Sequence, residues 1–288
     1  MGFGQHQTFY LRQQWLTKGL IEVKNNPRFF YEPDHFEILG VGKNMAKSIK
    51  YWLTATKLVK EQRSVKNELH LTELGETIFK YERYVKSRFT LSLLHYFLVT
   101  EKNEASTWYW FFNVFNERVF TKNILYTELE KWTKETFEKD VSLNSLKRDV
   151  DCLLQLYSMK SYINQTPEDV IKSPFESLSL IESTTDIHYI KTSLKHNLTV
   201  DVLYITLLIY MDKYQTKEIG LNALINEPEL WGKVFNLGRD EVIDYLGVLQ
   251  EKYGLIFTRT NRMDIVRISE EVQWHEVMKS VYEKEVLV

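Results

Sequence analysis

The chain has 288 residues, 44% of them hydrophobic and 14% aromatic, with 11 glycines and five prolines, which excludes a disordered polymer and leans towards helix. Its one cysteine, Cys152, excludes an internal disulfide and a cysteine-rich zinc site. The formal net charge of −2 hides an uneven distribution: residues 1–90 carry 15 Lys and Arg against nine Asp and Glu, and the other 198 carry 22 against 30. A basic front end draws polyanions whatever the global balance.

In chain order, Phe9 to Leu20 reads as an amphipathic helix with Leu11, Trp15 and Leu16 inward and Gly19 near its end. Asn25-Asn26-Pro27 breaks the pattern before the aromatic patch Phe29-Phe30-Tyr31, and Glu37 to Leu39 forms a short helix ahead of a Gly40/Gly42 turn. From Lys43 to Leu53 a 3.6-residue period sets Met45, Ile49, Trp52 and Leu53 on one apolar stripe. Lys43, Lys47 and Lys50 fall within roughly 60° of one another on the opposite side. Two short strands follow, Lys57–Lys60 and Glu68–Thr72, around a loop holding Arg63 and Lys66. Helix, helix, cationic helix and basic hairpin is the order of a winged helix meeting double-stranded DNA. The expected contacts are Arg12, Lys18, Lys43, Asn44, Lys47, Ser48, Lys50, Tyr51, Arg63 and Lys66.

Residues 86–197 read as an almost wholly helical middle domain. Phe89 to Val99 is strongly apolar, with His95 a satisfied core residue, and Trp108 to Phe112 with Phe115 and Phe120 make an aromatic hub between helices. Asn123 to Glu138 and a helix over 145–157, capped from Ser142-Leu143-Asn144, form a helix-turn-helix-like pair with Cys152 as a buried structural thiol. Residues 198–288 repeat the winged-helix order: Val202 to Tyr210, Arg239 to Gln250, strands Leu255–Thr258 and Ile265–Ile268 about an Asn261-Arg262 turn, then Trp274 to Lys284. There the outward face carries Asp240 and Asp244, which favours a protein partner, with Arg259, Arg262 and Arg267 leaving a weaker DNA role. The fold class is thus mainly α: winged-helix units 1–85 and 198–288 with small β-hairpin wings, joined by the helical middle.

Signals for chemistry are sparse. Gly40-Val41-Gly42-Lys43 lacks the first glycine and the hydroxyl of a phosphate loop, since Glu37 and Asn44 stand there. No HExxH occurs, and the histidines lack metal-ligand spacing. Asp149 and Asp151 diverge on a helix, so either needs a carboxylate from elsewhere, such as Glu128, to share an ion; a salt bridge from Asp149 to a nearby Lys or Arg is the alternative. The longest apolar run, Val202 to Met211, is too short for a bilayer and no secretory leader opens the sequence, so a cytoplasmic protein is expected.

One combination is specific: His6, Thr8-Phe9, Arg12, Trp15-Leu16 and Lys18-Gly19, then Leu39-Gly40-Val41-Gly42-Lys43-Asn44-Met45, Ser48-Ile49 and Tyr51-Trp52. With Leu94-His95-Tyr96, Thr107-Trp108-Tyr109, Phe112-Asn113 and Lys147 to Cys152, it resembles the bacterial family catalogued as domain of unknown function 4007. The resemblance implies a component of a phage-defence system that places sulfur in the DNA backbone, working beside sulfur-transfer and ATPase proteins. It further implies Mg2+-dependent nicking of DNA. Scission demands stabilisation of developing charge and an activated nucleophile. The cationic helix supplies the first; Asp149 and Glu128 are the candidate Mg2+ ligands and Tyr51 the candidate nucleophile. A DNA-binding adaptor or regulator without chemistry, and a scaffold whose winged helices meet proteins, are the rival readings.

Overall fold

The computed structural model describes residues 2–62, 66–138, 140–158, 172–184, 187–195, 198–259, 264–269 and 272–286. At the front, α1 (Trp15–Asn25), a 3-10 turn (Phe29–Tyr31), α2 (His35–Ile38) and α3 (Lys43–Ala55) precede β1 (Val59–Glu61), β2 (Leu69–Leu71) and α4 (Glu73–Tyr81). The central elements are α5 (Arg88–Val99), α6 (Ser106–Asn113), β3 (Val119–Thr121), α7 (Lys122–Thr136), α8 (Leu143–Tyr157), a 3-10 turn (Pro174–Leu178), β4 (Ile181–Ser183) and β5 (His188–Lys191). The chain closes with α9 (Val200–Tyr214), β6 (Glu218–Gly220), α10 (Leu221–Asn226), α11 (Trp231–Val234), α12 (Arg239–Tyr253), β7 (Ile256–Arg259), β8 (Asp264–Arg267) and α13 (Trp274–Val286). The molecule is mostly helical, with three small antiparallel sheets among the described residues, ordered β1-β2, β3-β5-β4 and β6-β8-β7. Among the described residues no helix is long and apolar enough to cross a membrane.

Several elements depart from the sequence reading. The first helix starts at Trp15, not Phe9, and runs through Gly19 to Asn25. Residues before it are held by tertiary bonds instead: the Phe9 carbonyl accepts from Ser48 Oγ at 3.3 Å and Trp52 Nε1 at 3.1 Å. Gly19 is a contact point, because a Cβ there would meet Leu53 Cδ1 at 2.4 Å; the missing side chain lets α1 lie close against α3. The middle of the chain is not wholly helical, since Val119–Thr121, Ile181–Ser183 and His188–Lys191 build the β3-β5-β4 sheet. Strands of three or four residues are too short for a period-two signal to stand out. The same brevity hid β6, α10 and α11, while α4 is an ordinary helix that the reading passed over. The Asn261-Arg262 turn lies outside the described residues.

The aromatic block is core. Trp108, Trp110, Phe111, Phe112 and Phe120 are all buried, and the buried apolar side chains form one continuous cluster through the chain. Cys152 is buried, and desolvation pushes its thiol well above the ordinary range, so it is a packing residue. His95 is fully buried between α5, α8 and α11. Its Nε2 lies 2.7 Å from the Val234 carbonyl and its Nδ1 2.7 Å from Tyr157 Oη. A carbonyl only accepts, so Nε2 carries the proton and Nδ1 accepts from Tyr157. Burial holds the ring neutral, lowering its pKa to about 4.

A neutral His95 stabilises the fold fully above its ordinary pKa of 6.5, and that contribution is lost as pH falls towards 4. The stability difference between the wild type and His95→Gln, measured by urea unfolding, is therefore expected to shrink by on the order of 3 kcal/mol between pH 7 and pH 4. A pH-independent difference would show that the ring titrates normally.

Candidate nucleic-acid interface

Helix α3 forms where the sequence placed it. Ala46, Ile49, Trp52 and Leu53 are buried, with Met45 partly so, and Lys43, Asn44 and Lys47 are open to solvent. The helix starts at Gly42 with no side-chain cap and no acidic residue in its first turn. Its first N–H groups and the positive end of its dipole therefore face outward with Lys43 and Asn44. Gly40, with φ of +67°, makes the left-handed turn into it, and neither Gly40 nor Gly42 has an atom within 4 Å of its Cβ position. Lys43 Nζ stands 4.9 Å over the Phe36 ring, and its side chain remains exposed.

Along its flank, α3 borders a cleft of about 830 Å3 closed by β1, the N-terminal arm and the turn at Asn103-Glu104. Lys47, Lys50, Lys57 and Lys60 line it, against Glu61 and Glu104. Their states differ. Lys50 lies 4.0 Å over the Tyr31 ring, donates to Tyr31 Oη at 2.7 Å and stands 3.4 Å from Glu61. Tyr31 in turn donates to Glu61 at 2.6 Å, which lowers the Glu61 pKa, while burial and that carboxylate push the phenol up to about 12. Lys57 pairs with Glu101 at 3.1 Å and Glu104 at 3.0 Å. Lys47 and Lys60 make no ion pair among the described residues and are exposed. Lys50, expected as a DNA contact, is thus held by Tyr31 and Glu61, whereas Lys60, not among the expected contacts, is open because Val59 before it in β1 points inward.

Other predicted contacts divide. Lys66 is exposed; Arg63 lies outside the described residues. Lys18 is exposed and donates to the Leu39 carbonyl at 3.2 Å, holding the turn before α3. Arg12 lays its guanidinium 5.1 Å from the Trp15 ring and 5.8 Å from Phe9. Ser48 is not a surface residue: it is fully buried and bonded to Phe9, which removes it from any groove. Tyr51 shows part of its ring in the cleft, yet its hydroxyl is enclosed and unpartnered. Burial, then the Asp149 charge, pushes that phenol well above its ordinary range. A sealed, strongly protonated phenol is a poor nucleophile.

The candidate metal pair does not fit either. Asp149 is completely buried, and its oxygens are taken: Oδ1 accepts from the Gly4 N–H at 2.8 Å and lies 2.8 Å from His6 Nε2, and Oδ2 accepts from Thr107 Oγ1 at 2.8 Å. The anticipated Lys or Arg partner is replaced by His6 and a backbone amide. Glu128 is exposed on α7, whereas the neighbouring Asp151 pairs with Lys122 at 2.9 Å. Among the described residues no cluster of three or more His, Cys, Asp or Glu is arranged to hold an ion.

The family model described as a protein of unknown function, DUF4007, matches residues 3–282, and the chain belongs to that family. A crystal structure of SspB with magnesium bound is similar with a TM-score of 0.87 and 24% identity, covering 98% of this chain and 88% of SspB. A second SspB crystal structure gives a TM-score of 0.84 and 24% identity, covering 99% and 87%. Likeness at that identity establishes the fold. No curated protein matches the sequence.

Asp149→Ala is expected to lower unfolding stability by about 3–5 kcal/mol, because it strands the buried partners of a carboxylate. Glu128→Ala should stay within about 0.5 kcal/mol. Chemical denaturation of both variants checks this; equal, small effects would return Asp149 to the list of candidate ligands.

Proposed function

We propose that this protein is the DNA-binding component of a bacterial system that installs phosphorothioate in the DNA backbone for phage defence. In this reading residues 1–85 act as a winged-helix unit: α3 lies against duplex DNA, and the β1-β2 hairpin with Lys66 is the wing. The observation that carries the reading is the open start of α3. Uncapped backbone amides, an unopposed helix dipole and the exposed Lys43, Asn44 and Lys47 all converge on one surface. The last unit shows the contrast. In α12, Asp240 and Glu241 occupy the first turn, and Glu241 itself caps the helix through the Gly238 N–H at 2.8 Å. A capped first turn with the exposed Asp240 disfavours laying the outer face of α12 along a duplex backbone, so in this reading 198–288 serves contacts with the sulfur-transfer and ATPase partners instead.

Magnesium-dependent nicking is the second reading, favoured by the likeness to an SspB crystal structure that holds magnesium. Neither Asp149 with Glu128 nor Tyr51 supplies the chemistry, so the binding reading stands without it. A plasmid-relaxation assay with magnesium and with chelator separates the two. Magnesium-dependent nicked circles support the nickase, and supercoiled DNA left intact in both supports the adaptor.

The Lys43→Glu/Lys47→Glu variant is expected to fold normally, since both side chains are exposed, and to lose duplex affinity. Its plot of log K against log salt should flatten by about 2 relative to the wild type. Unchanged affinity and slope, measured by fluorescence anisotropy across a salt series, would overturn the α3 assignment.

A further inference from the structure

A second cavity, of about 380 Å3, shares no lining residue with the cleft beside α3. It lies where the end of α6, the residues leading into β3, the end of β5 and the start of α12 converge. Three cationic side chains reach it, Arg118, Lys191 and Lys233, with one carboxylate, Glu241. Its Oε2 accepts from Ser193 Oγ at 2.7 Å and from the Gly238 N–H at 2.8 Å, both neutral donors that fix the carboxylate in place. None of the three cations forms an ion pair among the described residues.

Lys191 is the deepest of them. Its Nζ donates to the Phe111 and Phe115 carbonyls, both at 2.6 Å, and lies 4.4 Å from the Phe111 ring. Capping the end of α6 accounts for two of its three donors and leaves the third. Burial and the neighbouring Lys233 charge pull this ammonium down to about 7. Lys233, also lowered by burial, is held by Asn116 Oδ1 at 2.6 Å, and Glu227 acts on it only at a distance. Helix capping explains Lys191 alone; it does not explain why Arg118 and Lys233 converge on the same hollow. With Lys191 and Lys233 partly desolvated and Arg118 exposed at the rim, the single carboxylate of Glu241 does not balance the three cations, and a further anion would relieve their repulsion.

We propose that this cavity binds a phosphate group, gripped by the ammonium groups of Lys191 and Lys233 and by the guanidinium of Arg118. A guanidinium fork and two ammonium donors suit a dianionic oxyanion better than a carboxylate. The volume falls in the range of pockets that hold small organic ligands. It exceeds what free phosphate fills, so the group arrives on a larger carrier, a mononucleotide or the 5′ end of a nucleic acid. The site is independent of α3 and of the DNA reading built on it.

Calorimetric titration of the full chain near pH 7 tests this with inorganic phosphate, adenosine 5′-monophosphate, and a short oligonucleotide carrying either a 5′-phosphate or a 5′-hydroxyl. Saturable phosphate binding is expected, tighter for the true carrier, and weakened at least about tenfold in Arg118→Ala/Lys233→Ala. A mononucleotide preference identifies a nucleotide ligand; a preference for the phosphorylated over the hydroxyl oligonucleotide identifies a nucleic-acid end. The second measurement is the titration of Lys191 by NMR with labelled lysine. Phosphate should raise its midpoint in the wild type and leave it unmoved in the double variant. The proposal is overturned if no probe binds saturably, or if binding and the Lys191 midpoint are the same in both proteins.

Discussion

The Asp149 carboxylate, withdrawn from water and paired with neither lysine nor arginine among the described residues, sets how the front of the molecule sits on its body. A buried carboxylate is tolerated only with its lone pairs filled. Here α6 supplies one bond through Thr107, and the N-terminal arm supplies two more through the Gly4 amide and His6. The same arm then gives its Phe9 carbonyl to Ser48 and Trp52 of α3. The Gly2 N–H also reaches Ser106 Oγ at 3.2 Å. Residues 2–9 thereby lash α3 to α6 and α8. The Trp52 and Trp108 rings meet at 5.4 Å, edge to face, at the centre of this joint.

A fixed joint matters because the outward face of α3 is useful only if it is presented in one orientation. Nucleic-acid recognition by a helix depends on holding a few side chains in register with a groove or backbone. Charge follows the same division. Toward the cleft, Lys50 and Lys57 are neutralised locally by Glu61, Glu101 and Glu104. At the head of α3, Lys43 and Lys47 are not. The effective cationic surface is smaller than the lysine count suggests: it comprises Lys43 and Lys47 of α3 with Lys60 of β1 beside them.

The parts legible in the sequence were those with strong local signals. The period of Met45, Ile49, Trp52 and Leu53 located α3, Ser142 located the start of α8, and the apolar run 89–99 located α5. The family likeness was carried by residues that turn out to be structural as well as superficial: His6, Asp149, Trp52 and Trp108 are all buried at one joint. What stayed hidden depends on distant partners. Asp149 looked available because its local neighbours are Lys147 and Arg148, whereas its true partners lie 42 to 145 residues away. Ser48 looked like a groove residue because it follows Lys47, and only the packing of the arm turns it inward. Lys191 carried no motif at all; its setting exists only once β5 has folded against the end of α6.

Hydrogen–deuterium exchange of the whole chain, with and without a saturating DNA duplex whose ends carry 5′-hydroxyls, tests the central claim most directly. Slowed exchange confined to the first turns of α3 and the β1-β2 hairpin, with 239–253 unchanged, is the predicted result. Protection over α12 with none at residues 40–47 would contradict it.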